Sequence, residues 1–290
     1  GGLARKATII DKLRSEGFDV LILDAGNLLF KNEILNPGVS TEISKLTAEI
    51  IVSSFNQIGC HAFSPGSKDF AAGLDFVREM QQLANFPFIS ANIQDGYGNR
   101  MFNPYIIVAI EGLSVGIIGL ASQFNHAELL VRNPLEALTE IIAEVESQSD
   151  VLILMFDSEE ADITHLQASG YPIDMVIRSK SKKRSQDGGT KNIVEYSCGD
   201  RGKYLYQFDF NVIEPQEKFT DLASYESQIS RAEKKLNKMK QGNLMVNLRD
   251  LYKDDPQTLK KIDTYEQQME TAQQAMERSA NTIRMKRHEL

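Results

Sequence analysis

The chain has 290 residues, 42% of them hydrophobic and 25% charged, with a formal net charge of −8. That length allows one large domain or two smaller ones. The acidic balance excludes a general nucleic-acid binder, and no apolar run reaches the roughly 18 residues of a membrane span. Charge is unevenly placed: residues 217–290 carry a net +2, which leaves −10 on residues 1–216, so a phosphate-rich substrate meets an acidic body unless a basic pocket helps. Cys60 and Cys198 are too few for a disulfide framework. Two buried free thiols are expected, with a single bridge left to geometry. The chain opens directly on a helix pattern, with no signal-peptide pattern before it.

Residues 3–16 place Leu3, Ala7, Ile10 and Leu13 at helical spacing, and Gly17 ends the helix. Val20–Leu23 is a wholly apolar run that reads as a strand covered on both faces. Residues 41–58 predict a second helix, with Ile43, Leu46, Ile50, Ile51 and Phe55 on one face. A short strand at Ala62–Ser64 leads to Pro65-Gly66. A helix over 70–84 leads to a strand over Phe86–Ile93. Tyr105–Ile110 and Val115–Leu120 bracket Glu111-Gly112-Leu113 as a hairpin. Helix 134–147 leads to strand Val151–Phe156, and helix 159–169 leads to strand Asp174–Ile177. Asn192–Ser197 and Lys203–Val212 read as an antiparallel pair around Gly199–Gly202. This alternation predicts a mixed sheet covered by helices.

From about Glu214-Pro215 the strand patterns stop. Leu222, Tyr225, Ile229, Ala232, Leu236 and Met239 step by three and four, a heptad-like seam. Asp254-Asp255-Pro256 is a stop followed by a start. Ile262, Tyr265, Met269, Ala272, Met276 and Ile283 then resume the seam. The reading is an antiparallel helical hairpin over 214–290, kinked or broken near Gly242-Asn243. Its arms of roughly 30–35 residues would each reach about 45–50 Å.

Several segments together resemble the catalytic domain of the 5′-nucleotidase family of calcineurin-like metallophosphoesterases. Gly1–Thr8 resembles the entry to that family's first helix, and Val20–Gly26 the strand leading to its D-A-G-D motif. Ser64-Pro65-Gly66 resembles the start of its P-G-N-H-E motif. Phe86–Ile93 and Val115–Leu120 are similar to its middle strands, and Gly202–Leu205 to its closing strand. The likeness covers about residues 1–212. It implies a layered αββα sandwich over 1–213 that lacks the family's first strand, followed by the hairpin over 214–290. In place of the family's second, base-holding domain stands the hairpin. The resemblance also implies an extracytoplasmic protein, and both ends of the chain read as cut from a longer parent.

The family holds two metal ions at the carboxyl ends of its strands, where they polarise phosphate and activate water. At the matching positions this sequence departs from the pattern. After Asp24, the second aspartate of D-A-G-D falls on Asn27. The asparagine, histidine and glutamate of P-G-N-H-E fall on Ser67, Lys68 and Asp69. The histidine after the Val151–Met155 strand falls near Phe156, and those of G-H-S-H fall on Lys180 and Lys182. Phenylalanine has no lone pair for a metal, and a lysine ammonium repels a cation. His61, His126, His165 and His288 are scattered and read as structural. The expectation is therefore no catalytic residue, no bound metal and no cofactor: a non-catalytic scaffold or interaction module. An active phosphoesterase with an atypical site is the first alternative. The second is an anion module in which Lys68, Lys180, Lys182, Lys183 and Arg184 hold phosphate or sulfate, against the plain reading of a solvated basic loop. The hairpin, with Tyr225, Met239, Met245, Met269 and Met276 on its seam, is the expected surface for a protein partner or a second copy, unless these residues are only its own core.

Overall fold

The computed structural model describes residues 2–35, 41–189, 192–199, 202–214 and 217–290. Gly1, Pro215 and the middle of the Gly199–Gly202 turn lie outside the described residues. The chain divides into two compact units, one formed by residues 1–186, 191–207 and 287–290, the other by 187–190 and 208–286. A single cut at 213–214 therefore does not describe the division.

In the first unit, helix α1 (Gly2–Ser15) leads to the short strand β1 (Leu23–Asp24), far shorter than the apolar run Val20–Leu23 suggests. Helix α2 (Thr41–Ile58) buries Ala48, Val52, Phe55 and Ile58, while Ile43, Leu46 and Ile50 point outward. Strand β2 (Ala62–Phe63) pairs in parallel with β1. A single 3-10 turn at Ser67–Phe70 precedes helix α3 (Leu74–Leu83). The expected strand Phe86–Ile93 is reduced to bridges at Phe88 and Ile89 and to β3 (Ile93–Asp95). The aromatic pairs Phe63–Phe88 and Phe86–Phe88 fill this layer.

The larger sheet follows from the sequence almost element by element. Strand β4 (Tyr105–Ile110) forms the predicted hairpin with β5 (Leu113–Ala121), with Ile110 opposite Leu113. After β6 (Leu129–Val131) and helix α4 (Pro134–Glu146), strand β7 (Val151–Asp157) joins β5 in parallel. Asn133 caps α4 by accepting the Leu135 and Glu136 N–H groups, and Pro134 occupies the first turn, where its missing N–H has no cost. Helix α5 (Glu160–Ser169) leads to β8 (Met175–Ser179), parallel to β7. Strand β9 (Val194–Ser197) pairs in parallel with β8, giving the order β4-β5-β7-β8-β9. The predicted antiparallel partnership of 192–197 with 203–212 is thus wrong. Because β8 ends next to the site loops and β9 returns on the same sheet, the pairing is made across a connection that local turn signals do not reveal. Ile118, Leu120, Leu138, Leu154, Phe156 and Val176 form the core against α4 and α5.

Strand β10 (Tyr204–Asn211), β11 (Phe219–Asp221) and β12 (Asn281–Glu289) form a three-stranded sheet in the order β10-β12-β11. In the second unit β11 pairs in parallel with β12, Phe219 opposite Asn281. Helices α6 (Leu222–Met239) and α8 (Pro256–Arg278) pack on each other, with the single-turn α7 (Leu248–Leu251) between them. The end of α8 meets the start of α6, where Ser279 Oγ lies 2.7 Å from Thr220 Oγ1, so the helices are antiparallel. The arms are shorter than expected, because residues 240–255 form the turn and 281–289 form a strand. Ile283 is buried in that strand and is not a helical seam residue. Its stretch Asn281–Glu289 also fits alternation, and pairing with β11 decided between two periodicities that the local sequence serves about equally.

Candidate functional site

The carboxyl ends of β1, β2, β7 and β8 bring three loops together in the first unit. Asp157, the last residue of β7, lies at their centre with 1% exposure. Its Oδ1 accepts from Asn27 Nδ2 at 2.6 Å and from Ser179 Oγ at 2.8 Å, and its Oδ2 accepts from the Ser67 N–H at 2.9 Å. Asn27 Oδ1 in turn accepts the Lys68 N–H at 3.0 Å. Asp69 is fully buried and accepts backbone N–H groups from Asn27, Leu29 and Gly66 at 2.7, 2.7 and 2.8 Å. Desolvation pushes its carboxyl up to about 7 against the lowering effect of those three donors.

The backbone is shaped for this convergence. A Cβ on Gly66 would stand 2.6 Å from Asp157 Cγ and 2.9 Å from Asn27 Oδ1. Gly26 has φ +110°, and its Cβ would stand 2.6 Å from the Ser64 carbonyl oxygen. Asn27 and Lys180, at φ 58° and 63°, are both non-glycine residues in the left-handed region. Asparagine tolerates that region and lysine less so, and such strain gathers at functional sites.

Asp24 lies one step behind this network and accepts the Gly26 N–H at 3.1 Å. Burial raises its carboxyl, opposed by the Lys6 charge and by that N–H. Phe156 is not in the site. It is fully buried in the core of the larger sheet, because successive strand residues face opposite sides and Asp157 takes the inward turn at the strand end. Sequence reasoning missed Asp157, although a carboxylate closing an otherwise apolar strand was the available signal. It also missed Glu33, which accepts from Ser67 Oγ at 2.8 Å, and Glu159, which pairs with Lys180 Nζ at 2.8 Å. Glu33 lies on irregular backbone that carries no periodic pattern, and Glu159 stands just before α5, where the helix pattern assigns it no partner.

The basic residues are dispersed in their contacts. Lys180 is tied to Glu159 and feels the charges of Asp157 and Glu33. Arg184 lies over the Tyr204 ring at 4.5 Å, and Lys182 and Lys183 are exposed. Lys68 is half-buried, with its backbone rather than its ammonium in the network. The histidines stand elsewhere. His61 Nδ1 accepts the Ile22 N–H, His126 lies tilted against the Phe70 ring, His165 is exposed on α5, and His288 meets Gln207. Cys60 and Cys198 are free thiols, and burial pushes each up to about 12.

A metal pair at this place would need several anionic or imidazole donors turned toward one point. Among the described residues no group of three or more His, Cys, Asp and Glu is arranged to hold an ion. Both ends of the Asn27 amide and both Asp157 oxygens already serve protein donors and acceptors, and the charge of Asp157 acts on the Lys180 ammonium. This donor set does not fit two metal ions.

No family model matches the chain. The chain is 31% identical over 160 residues to a 5′-nucleotidase of Vibrio cholerae, an overlap of 51% of this chain and 28% of that protein. It is 27% identical over 208 residues to the trifunctional nucleotide phosphoesterase protein YfkN of Bacillus subtilis, covering 67% of this chain and 13% of that one. A crystal structure of calcineurin-like phosphoesterase YfkN from Bacillus subtilis superposes with a TM-score of 0.57 at 22% identity, covering 71% of this chain and 75% of that one. The body has the fold of a calcineurin-like phosphoesterase, and over about half of the chain its sequence is similar to 5′-nucleotidases. The chain spans less than a third of the length of the curated relatives it matches. Within this fold, the loops just described stand at the carboxyl ends of the strands, where open α/β sheets place their ligands.

Proposed function

We propose that this phosphoesterase domain is a non-catalytic module that has kept the family's sheet and given up its chemistry. One observation carries the reading: Asp157 and Asn27, the carboxylate and amide best placed to hold a metal, are bound to each other and to Ser179, Ser67 and Lys68. A metal would have to displace those bonds and sit beside the Lys180 ammonium, which a cation disfavours. The test is elemental analysis after incubation with Mn²⁺ and Zn²⁺, paired with nucleotide and generic phosphodiester assays. Absence of stoichiometric metal and of turnover is the expected result. Stoichiometric metal with turnover that vanishes in Asn27→Ala overturns it.

A second reading, an active phosphoesterase with an atypical site, draws support from the names of the relatives at about 30% identity. The same assay decides between the two. The lysine-based anion reading is weakened by the carboxylates Asp157, Glu159 and Glu33 around Lys180. The resemblance further supports an extracytoplasmic location. Among the described residues no helix is long and apolar enough to cross a membrane.

The helical unit is proposed as the partner-facing part. Its seam residues Tyr225, Met239, Met269 and Met276 are half-buried. The exposed apolar side chains lie instead at the turn, Leu244 at 63% and Met245 at 93% exposure. Pull-down and solution size of a Leu244→Lys, Met245→Lys variant test this, and unchanged partners and size overturn it.

A further inference from the structure

We propose that Lys180 is a built-in counter-cation, a charge that holds the loop after β8 to the carboxylates of the site without any metal. The proposal rests on the non-catalytic reading and gives it a mechanism. Lys180 follows β8 directly and turns into the left-handed region at φ 63°. That conformation is unfavourable for a side chain with a Cβ, so something at this position must repay it. The repayment is visible at the ammonium. Its Nζ lies 2.8 Å from Glu159 Oε1, with the lysine side chain only 21% exposed.

Three carboxylates act on that ammonium: Asp157, Glu159 and Glu33. Burial lowers the tendency of Lys180 to stay charged. The Glu159 hydrogen bond and the three negative charges outweigh it, and the ammonium is raised above its ordinary value. Asp69 needs no such help, since three backbone N–H groups already face it. Asp157 is different. Its donors Asn27 and Ser179 are neutral side chains and Ser67 gives a neutral N–H, so its charge is hydrogen-bonded but not balanced. Glu33, bound by the neutral Ser67 hydroxyl, is in the same position. A lysine balances these charges as a point charge on a flexible stem and asks for no coordination geometry.

The experiment compares melting of wild type, Lys180→Met and Lys180→Arg in EDTA and in excess MnCl₂. Wild type and Lys180→Arg are expected to melt alike, with no response to Mn²⁺. Lys180→Met is expected to melt roughly 2–4 °C lower in EDTA and to regain part of the loss in Mn²⁺, because the carboxylates then lack a cation. A Lys180→Met protein that melts like wild type and ignores Mn²⁺ overturns the proposal, as does a wild type stabilised by Mn²⁺. If Lys180→Met does not fold, the double variant Lys180→Met, Glu159→Gln removes one of the unbalanced charges and is expected to restore folding. Failure to restore it counts against the proposal. Turnover in the phosphodiester assay sinks the non-catalytic reading separately, since melting reads charge balance and not hydrolysis.

Discussion

In the first unit every residue of β7 is buried, whereas α6 and α8 of the second unit, 18 and 23 residues long, bury only Ser224, Ala232, Ile262 and Ala272. The two regions are therefore held by different means. A sheet covered by helices on its faces collects enough apolar area to carry polar loops at its strand ends. A two-helix unit with a thin seam depends on its caps and pins. Asp221 caps α6 by accepting the Ala223 N–H and also accepts from Ser224 Oγ and the Gly188 N–H. Asn281 is fully buried and uses its whole amide, accepting from the Ile213 and Glu214 N–H groups and donating to the Glu214 and Glu217 carbonyls. Removing apolar volume should hurt the first unit most, and removing single polar groups should be felt comparably in both.

The largest effect is expected at Phe156. Phe156→Ala empties the core of the larger sheet and should cost about 3–5 kcal/mol in urea unfolding. A cost below about 1 kcal/mol would mean that Phe156 faces the site after all. Ile262→Ala, in the middle of the helical seam, should cost about 2–3 kcal/mol. A loss as large as that of Phe156→Ala would erase the contrast between the units.

Asp69→Ala strands three buried N–H groups and should cost about 2–3 kcal/mol, measured by the same urea melts. Its pH dependence sharpens the point. The folded carboxyl is raised to about 7 from 3.8, so the folded state holds the proton more tightly than the unfolded chain. Its stabilising share is complete below about pH 4 and is lost as pH rises through 7. The advantage of wild type over Asp69→Asn should therefore shrink between pH 4 and pH 7, by up to about 1.4 kcal/mol per pH unit. A difference that grows with pH would show that the three N–H donors win over burial. The smallest effect is expected at the α6 cap, where Asp221→Ala should cost about 1–2 kcal/mol in the same melts. No measurable loss would show that the second unit does not rely on its caps.

Apolar runs and helical spacing located α1, α2, α4, α5 and the β4–β5 hairpin within a residue or two, because each encodes its own burial locally. The motif likeness brought Asn27, Ser67, Asp69 and Lys180 to attention as one set, and they do lie where the carboxyl ends of β1, β2, β7 and β8 converge. Whether a given residue faced the site or the core was a different matter. Phe156 and Asp157 are neighbours in sequence, and only the register of β7 between β5 and β8 sends one into the core and the other among the loops. Tertiary pairing likewise made residues 281–289 a strand, since a partner strand was present to satisfy their backbone. The charge balance around Lys180 was equally out of reach, because Glu33, the Asp157–Glu159 segment and Lys180 itself come from three stretches far apart in the chain. The chain's own pattern determined which segments would be buried. Long-range hydrogen bonding and the pairing of charges in a desolvated place decided what their ends would do.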